Sequence, residues 1–555
     1  MSIIHGLHFK NIRGDIYGGL TAAIVALPLS LAFGVASGAG PIAGLYGAIF
    51  VGFFAALFGG TPAQVSGPTG PMTVVMTGIY SHYVALDPVS GPMMAFTVVM
   101  MGGLFQILFG VMRIGTYINY VPVPVISGFM SGIGVIIIIL QLGPLLGYPA
   151  AGSPVTSLEE LPARLTDIKW MALSLGLLTI AIVYLTPSKI TRLVPAPLLA
   201  LVIGTILAMF IANTDITILG HIPSGLPQFH MPTFTLALLS EMVKSAVILA
   251  FLGTIDSLLT SLVADNITRT HHDSNRELIG QGIGNTFAGL FGGLPGAGAT
   301  MRTMINVRSG GQTPISGALH AVILLSIALG FGSIASFIPH VVLAGILIKV
   351  GTDIIDWGYL KRVHKSSKPG VVVMFTVLLM TVFVDLIIAV GVGMMMACLI
   401  FLKRQTDMQL SKINITRGID EDAPLSKEEA EILRAADGHI LLFHLGGPLS
   451  FGAAKDMVNM LVYQKNYEAL VLDLSDVPDI DYTASKAVED MINSTLEERR
   501  EVLLILPEGK VANTFQREEI LQRMNHKNIY PARLQALQEA QRLINSKRCT
   551  NPTLS

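Results

Sequence analysis

One carboxylate lies within a long apolar run. Residues 246–266 read AVILAFLGTIDSLLTSLVADN, with Asp256 near the middle and Thr260 one helical turn later on the same face. An ionised carboxylate at the centre of a bilayer costs about 2.5 kcal/mol or more, so such a group is functional by default. Two chemistries suit it. It can take and release a proton during a transport cycle, or it can stay ionised beside a cation whose oxygen shell is completed by hydroxyls and carbonyls. The Thr260 hydroxyl favours Na+ over a proton. A purely structural reading is a carboxylate capped by helix-end N–H groups.

Two other segments supply the opposite charge without a basic side chain. Residues 64–76 read QVSGPTGPMTVVM and residues 292–306 read GGLPGAGATMRTMIN. Both begin as Gly/Pro-rich backbone and turn helical at about Met72 and Thr300, and each follows two long apolar runs. Irregular backbone survives at membrane depth only where protein or a water-filled cavity satisfies it. Broken segments at corresponding places in two halves point to a midplane transport site. Each helix N-terminus carries about +0.5 charge on unpaired N–H groups, so two facing one another give about +1, which suits a small monovalent anion. With Asp256, one Na+ and one such anion, the loaded site is near neutral. The competing reading is that Gly and Pro merely permit close helix packing. Arg302 falls two residues past Thr300, where helical geometry turns it away from that side chain. It reads as a background positive field or a cytoplasmic-side packing charge rather than a direct anion ligand.

These groups need a membrane frame, and the composition predicts one. Of 555 residues, 52% are hydrophobic and 13% charged, about half the charged share of a soluble protein. Residues 14–404 form an apolar transport domain behind a short N-terminus, 1–13. A bilayer needs about 20 apolar residues per helix, and candidate spans include 16–37, 41–58, 93–111, 125–146, 171–185, 197–211, 246–266, 315–333 and 371–385. Short segments included, about fourteen crossings are expected, as repeats at 14–213 and 237–403. Cations gather at Lys10, Arg13, Arg113, Lys189, Arg192, Arg269, Arg276, Lys361, Arg362, Lys365, Lys368, Lys403 and Arg404, whereas 214–235 has no Lys or Arg. That alternation places both termini in the cytoplasm. The net charge of −1 offers nothing to nucleic acid. Cys398 and Cys549 are too far apart in sequence to suggest a disulfide framework. No catalytic constellation or cofactor motif is present, so the chain reads as a transporter and not an enzyme.

After a linker at 405–438, residues 439–555 change pattern. Strands are expected at 440–445, 468–475 and 501–506, and helices at 451–463, 483–499 and 532–546, giving a small α/β domain. Asp473, Asp481, Thr483 and Ser485 gather around the turn LSDVPDIDYTAS. Capping by Asp481 or Thr483 accounts for them; the alternative is a regulated phosphosite at Thr483.

PIAGLYGAIFVGFFAALFGGTPAQVSGPTGP (41–71), GTYINYVPVPVISGFMSGIG (115–134) and HHDSNRELIGQGIGN (271–285) resemble the SulP (sulfate permease-like, solute-carrier-26) family, and the tail resembles its STAS domain. The resemblance covers nearly the whole chain. It implies a polytopic α-helical membrane fold, a 7+7 inverted repeat divided into core and gate domains, elevator motion, a homodimer and an inner-membrane location. GTIDSLLTSLVAD (253–265), GGLPGAGATMRT (292–303), SGPTGPMTVV (66–75) and VGTDIIDWGYLKR (350–362) are most similar to BicA-type sodium-dependent bicarbonate transporters. That similarity implies Na+ held by Asp256, Thr260, Gly298, Ala299 and Thr300, and bicarbonate facing Thr69, Ala299 and Thr300. Gly67 and Arg302 look more like the wider family, many of whose bacterial members carry Glu in place of Asp256. In STAS relatives the phosphoacceptor follows an aspartate at a strand-to-helix turn. Thr483 matches that place, with Ala484 where glycine is usual. The expected activity is Na+-coupled bicarbonate symport. The alternatives are proton-driven sulfate or dicarboxylate transport and, in another class, a membrane-anchored STAS regulator with little flux.

Overall fold

The computed structural model describes residues 4–191, 194–211, 216–220, 227–330, 336–417, 425–521, 524 and 526–550; Arg192 and parts of the cation-free stretch 214–235 lie outside them. The chain divides into two compact units, Met1–Met395 and Met396–Ser555.

The first unit is helical. Before residue 212 run α1 (Ile12–Ala36), α2 (Pro41–Phe58), α3 (Gly70–Leu86), α4 (Gly91–Val111), α5 (Val123–Leu145), α6 (Trp170–Leu185) and α7 (Ala196–Ile211). After residue 238 run α8 (Leu239–Thr268), α9 (Ser274–Leu290), α10 (Thr300–Arg308), α11 (Pro314–Gly330), α12 (His340–Ile354), α13 (Lys368–Phe383) and α14 (Leu386–Leu410), the last reaching into the second unit. An amphipathic helix, Pro154–Thr166, joins α5 to α6, with the Ser153 side chain capping its Thr156 N–H at 3.1 Å. Among the described residues, six helices are long and apolar enough to cross a membrane by length and composition, and four more are apolar but shorter.

Local chemistry sets the helix boundaries. α3 starts at Gly70, two residues before the expected Met72, with Pro71 inside its first turn. Proline is tolerated there because a first-turn N–H has no intrahelical acceptor. Asp273 caps α9 by accepting from the Arg276 N–H at 3.1 Å. Arg269 closes α8 in the left-handed region, at φ 58°.

The helices sort into two bundles. In one, α9 packs on α4 and α2, α11 on α2 and α1, and α8 on α4. In the other, α12 and α13 pack on α5, α12 on α6, and α6 on α7. Small residues let the first bundle close: Ala23, Ala26, Ala48 and Ala328 interlock with Leu45, Ile49 and Leu324. Leu177, Phe210, Leu379, Phe383, Met395 and Leu399 lie exposed on the outside, as side chains facing acyl chains do.

The second unit holds β3 (Asn414–Thr416), β4 (Ile440–Gly446), β5 (Ala469–Asp476), β6 (Glu501–Ile505) and β7 (Ile529–Tyr530), in that spatial order. β3 is antiparallel to β4, and the other pairs are parallel. Its helices are α15 (Lys427–Ala435), α16 (Phe451–Val462), α17 (Tyr482–Glu497), α18 (Lys510–Arg517) and α19 (Arg533–Thr550). One face of the sheet is covered by α16, α17 and α18, and the other by α15 and α19. Two covered faces explain why β4 is buried at every position instead of alternating. Asp481, not Thr483, caps α17, accepting from the Ala484 N–H at 2.8 Å, and Thr483 is exposed in the first turn.

Candidate functional site

The two interrupted segments meet. Ser66–Gly67 (β1) pairs antiparallel with Ala297–Gly298 (β2), in the register Ser66 with Gly298 and Gly67 with Ala297. An Ala299 N–H bond to the Val65 carbonyl at 3.0 Å extends the pair. Because its strands are antiparallel, α3 and α10 leave in opposite directions with their N-terminal ends adjacent. Neither end has a side-chain cap. Helix geometry leaves the N–H groups of Gly70, Met72, Thr300, Met301 and Arg302 without an intrahelical acceptor, while Pro71 has none to offer. The result is a concentration of N–H dipoles of one sign.

Both strands are buried, and the rest of the first bundle holds them. Asn285 on α9 brackets Gly296: its Nδ2 donates to the Gly296 carbonyl at 2.9 Å and its Oδ1 accepts the Gly296 N–H at 2.7 Å. The Thr303 hydroxyl accepts the Val65 N–H at 3.1 Å. A side chain at Gly298 would have its Cβ 2.2 Å from Gln64 Nε2 and 3.1 Å from Thr260 Cβ, so it would displace the Gln64 amide and press on Thr260 where α8 crosses the pair.

α8 presents its polar face to this crossing. Asp256 Oδ2 accepts from the Thr69 hydroxyl at 2.6 Å. One turn on, the Thr260 hydroxyl lies 2.9 Å from the Gly298 carbonyl and 2.8 Å from the Thr300 hydroxyl. Asp256 is 6% and Thr260 0% exposed. Thus Asp256, Thr260, Thr69, Gly298 and Thr300, taken from three distant stretches of sequence, share one buried locus. Every side-chain donor there is an oxygen. Oxygen ligands of this kind suit a hard cation.

Ala299 contributes backbone rather than a free amide. Its N–H bonds Val65, and its carbonyl accepts from Thr303 N–H at 2.8 Å to open α10. Arg302 is 2% exposed, with Nη2 donating to the Pro68 carbonyl at 2.5 Å and Nη1 unpartnered among the described residues. It is therefore buried, with its guanidinium at the backbone that leads into the first half-helix. Gly67, at φ +150°, makes room for it: a Cβ there would lie 2.7 Å from Nη1.

Several buried polar groups escaped the sequence reading. Glu277, Gln281 and Asn285 line one face of α9 at four-residue spacing, the signal that should have marked them. Asp15 on α1 is another. It accepts from the Gln312 and Thr313 N–H groups at 2.8 and 2.9 Å and from the Thr313 hydroxyl at 2.8 Å, holding the turn before α11.

In the second unit, Asp473 within β5 is bonded to His444 Nδ1 at 3.0 Å and to Arg533 Nε at 2.6 Å. His444 Nε2 is 3.2 Å from Asp476. A cavity of about 680 Å³ opens beside this cluster, between Lys412, Asn414, His444 and Ser475.

Comparison with known proteins supports a single lineage over nearly the full length. Residues 12–377 match the sulfate permease family, and residues 432–536 match the STAS domain. The chain is 46% identical over 546 residues to the bicarbonate transporter BicA of Picosynechococcus sp., covering 97% of this chain and 96% of that protein. The solved transmembrane domain of a cyanobacterial bicarbonate transporter BicA superposes with a TM-score of 0.67 at 52% identity, covering 70% of this chain and all of the other. The structure of the murine solute carrier 26 family member A9 anion transporter superposes with a TM-score of 0.80 over 97% of this chain and 92% of its own. At 19% identity that similarity speaks for the fold alone.

Proposed function

The chain belongs to the sulfate permease family of multi-pass membrane anion transporters, and from that premise we propose that it carries bicarbonate across the inner membrane together with Na+. The observation that carries this reading is the joining of one stretch of α8 to both half-helix tips: its acid Asp256 to Thr69 at 2.6 Å, and Thr260, one turn on, to Thr300 and Gly298 at 2.8 and 2.9 Å.

In this reading Na+ is held by the Asp256 carboxylate, the Thr260 and Thr300 hydroxyls and the carbonyls of Gly298 and Ala299. Bicarbonate lies at the tips of α3 and α10, against Thr69, Ala299, Thr300 and the unpaired first-turn N–H groups. Thr69 links the two, because its hydroxyl, which caps no helix, donates to the Asp256 carboxylate. The anion draws on N–H dipoles rather than a formal charge, so a weakly held monovalent solute can leave as readily as it enters. The bundle of α1–α4 with α8–α11 contains every one of these groups, so it can move as one body against α5–α7 with α12 and α13, as an elevator. Both termini face the cytoplasm, and two copies form the working transporter.

Arg302 supports a second reading. Asp256 and Na+ cancel, the two helix ends supply about one positive charge, and a buried guanidinium adds another, which fits a divalent anion such as sulfate. Uptake of bicarbonate, sulfate and succinate into proteoliposomes, each with and without a Na+ gradient, decides between them. Bicarbonate uptake stimulated at least tenfold by Na+ is expected. Sulfate uptake that follows a proton gradient and ignores Na+ would overturn the assignment.

A further inference from the structure

Behind the Asp256 locus lies a second buried polar layer that the transport reading leaves without a role. Its node is Glu277 on α9, 1% exposed. One carboxylate oxygen accepts from the Gly60 and Thr61 N–H groups, both at 2.9 Å. The other accepts from the Gln64 and Gln281 side-chain amides, both at 2.8 Å. Four N–H groups from three places thus converge on one side chain.

The bonds continue toward both strands. Gln281 also donates to the Ser66 hydroxyl on β1 at 2.6 Å. Gln64 directs its Oε1 at the Ser261 hydroxyl, 3.0 Å away, and Ser261 lies 2.8 Å from the Thr61 hydroxyl. One turn earlier on α8, the Ser257 hydroxyl accepts the Gly298 N–H of β2 at 3.1 Å. Ser257 and Ser261 immediately follow Asp256 and Thr260, so they sit about 100° further round the helix. A helix gripped along the Ser257–Ser261 edge cannot rotate without carrying Asp256 and Thr260 off their partners.

We propose that Glu277 is a positioning residue for the cation: it fixes the turn at residues 60–64 and, through Gln64 and Ser261, the rotation of α8 that aims Asp256 and Thr260 at the half-helix tips. The inference rests on the assignment of those two residues to Na+. The carboxylate suits the task because it offers acceptors in every direction and no donor. In Glu277→Gln the new amide must meet N–H groups on one side. The least disruptive relief is for Gln64 to turn its oxygen toward the new amide, which puts an N–H in place of the acceptor at Ser261 and forces that hydroxyl to reorient. Exchanging the pair, Gln64→Glu with Glu277→Gln, restores an acceptor facing Ser261.

The test measures uptake by the full chain in proteoliposomes as a function of Na+ and, separately, of anion at saturating Na+. Glu277→Gln should raise the half-saturating Na+ concentration at least tenfold while the anion KM stays within threefold, and the exchanged pair should return the Na+ value to within threefold of wild type. Ser261→Ala, which leaves the carboxylate among its donors, should raise the Na+ value threefold or more even if Glu277→Gln does not fold. A Na+-dependent wild type whose half-saturation is unmoved in the foldable variants, with only the maximal rate reduced, overturns this inference alone. A wild type indifferent to Na+ overturns the cation assignment and this inference with it.

Discussion

Thr260 has a hydroxyl within 3 Å of both a carbonyl and another hydroxyl, 2.9 Å from Gly298 and 2.8 Å from Thr300. Valine keeps its shape and removes that oxygen, so Thr260→Val should raise the half-saturating Na+ concentration at least tenfold, and Thr260→Ser should stay within threefold of wild type; Na+ titration of uptake reads both. The same substitution leaves the Gly298 carbonyl facing a methyl group in a buried place, a loss of about 1–3 kcal/mol, so the folded amount should be checked alongside. At this scale the sequence was informative wherever a residue contradicts its surroundings. Asp256 stood out in an apolar helix, and Thr260 followed from one turn of geometry. Glu277, Gln281 and Asn285 contradict theirs just as strongly, yet they lie in a run opening with HHDSNRE, whose polarity reads as a loop. The burial of Arg302 was not legible, because its cover comes from Pro68 and Gly67, distant in sequence.

The smallest elements do the assembling. β1 and β2 are two residues each, and their antiparallel pairing sets α3 and α10 tip to tip. Gly298 sits where α8 crosses them, and a Cβ there would run into the Gln64 amide and crowd Thr260. Gly298→Ala should therefore push Gln64 and Thr260 apart and lower uptake tenfold or more, while the protein still reaches the membrane, measured as uptake per folded transporter in reconstituted vesicles. Uptake at the wild-type rate would mean that this close approach does not shape the site. Both half-helices were legible as Gly/Pro-rich backbone running into helix, with one boundary two residues late because the first turn, Gly70 and Pro71, has the same composition as the irregular backbone before it. The pairing itself was not legible. Two-residue strands carry no alternation, and nothing local tells residue 66 that its partner is residue 298. In the second unit β4, β5 and β6 were evident as apolar runs, whereas three-residue β3 and two-residue β7 at the sheet edges were too short to register.

At the scale of the molecule the chain holds two compact units, and their predictions separate. Truncation after Ser411, just beyond α14, should leave Na+-stimulated uptake with an anion KM within threefold of wild type, because every residue assigned to the solutes precedes it; loss of uptake with the truncated protein folded would place part of the machinery in the tail. In the tail, burial raises the Asp473 carboxyl, but bonds from His444 and Ser475 and the Arg533 guanidinium outweigh it and hold the group well below the usual carboxylate range. A carboxyl depressed in the folded state contributes stability that is complete above its unfolded value, about 3.9, and is lost as pH falls below that toward the folded value. Arg533→Met should weaken the tail by about 3 kcal/mol at neutral pH and move its acid unfolding to higher pH, read by proteolysis of residues 396–555 in the full chain across a pH series. The membrane class and the step in composition were plain from 52% hydrophobic residues and their distribution; the sorting of helices into two bundles was not, since lipid-facing and protein-facing positions are equally apolar. The most direct measurement is uptake of labelled bicarbonate into proteoliposomes with Na+ replaced by choline, for wild type and Asp256→Ala. The account predicts that choline abolishes wild-type uptake and that Asp256→Ala shows the same low uptake in both media. Equal wild-type uptake in Na+ and choline would contradict it.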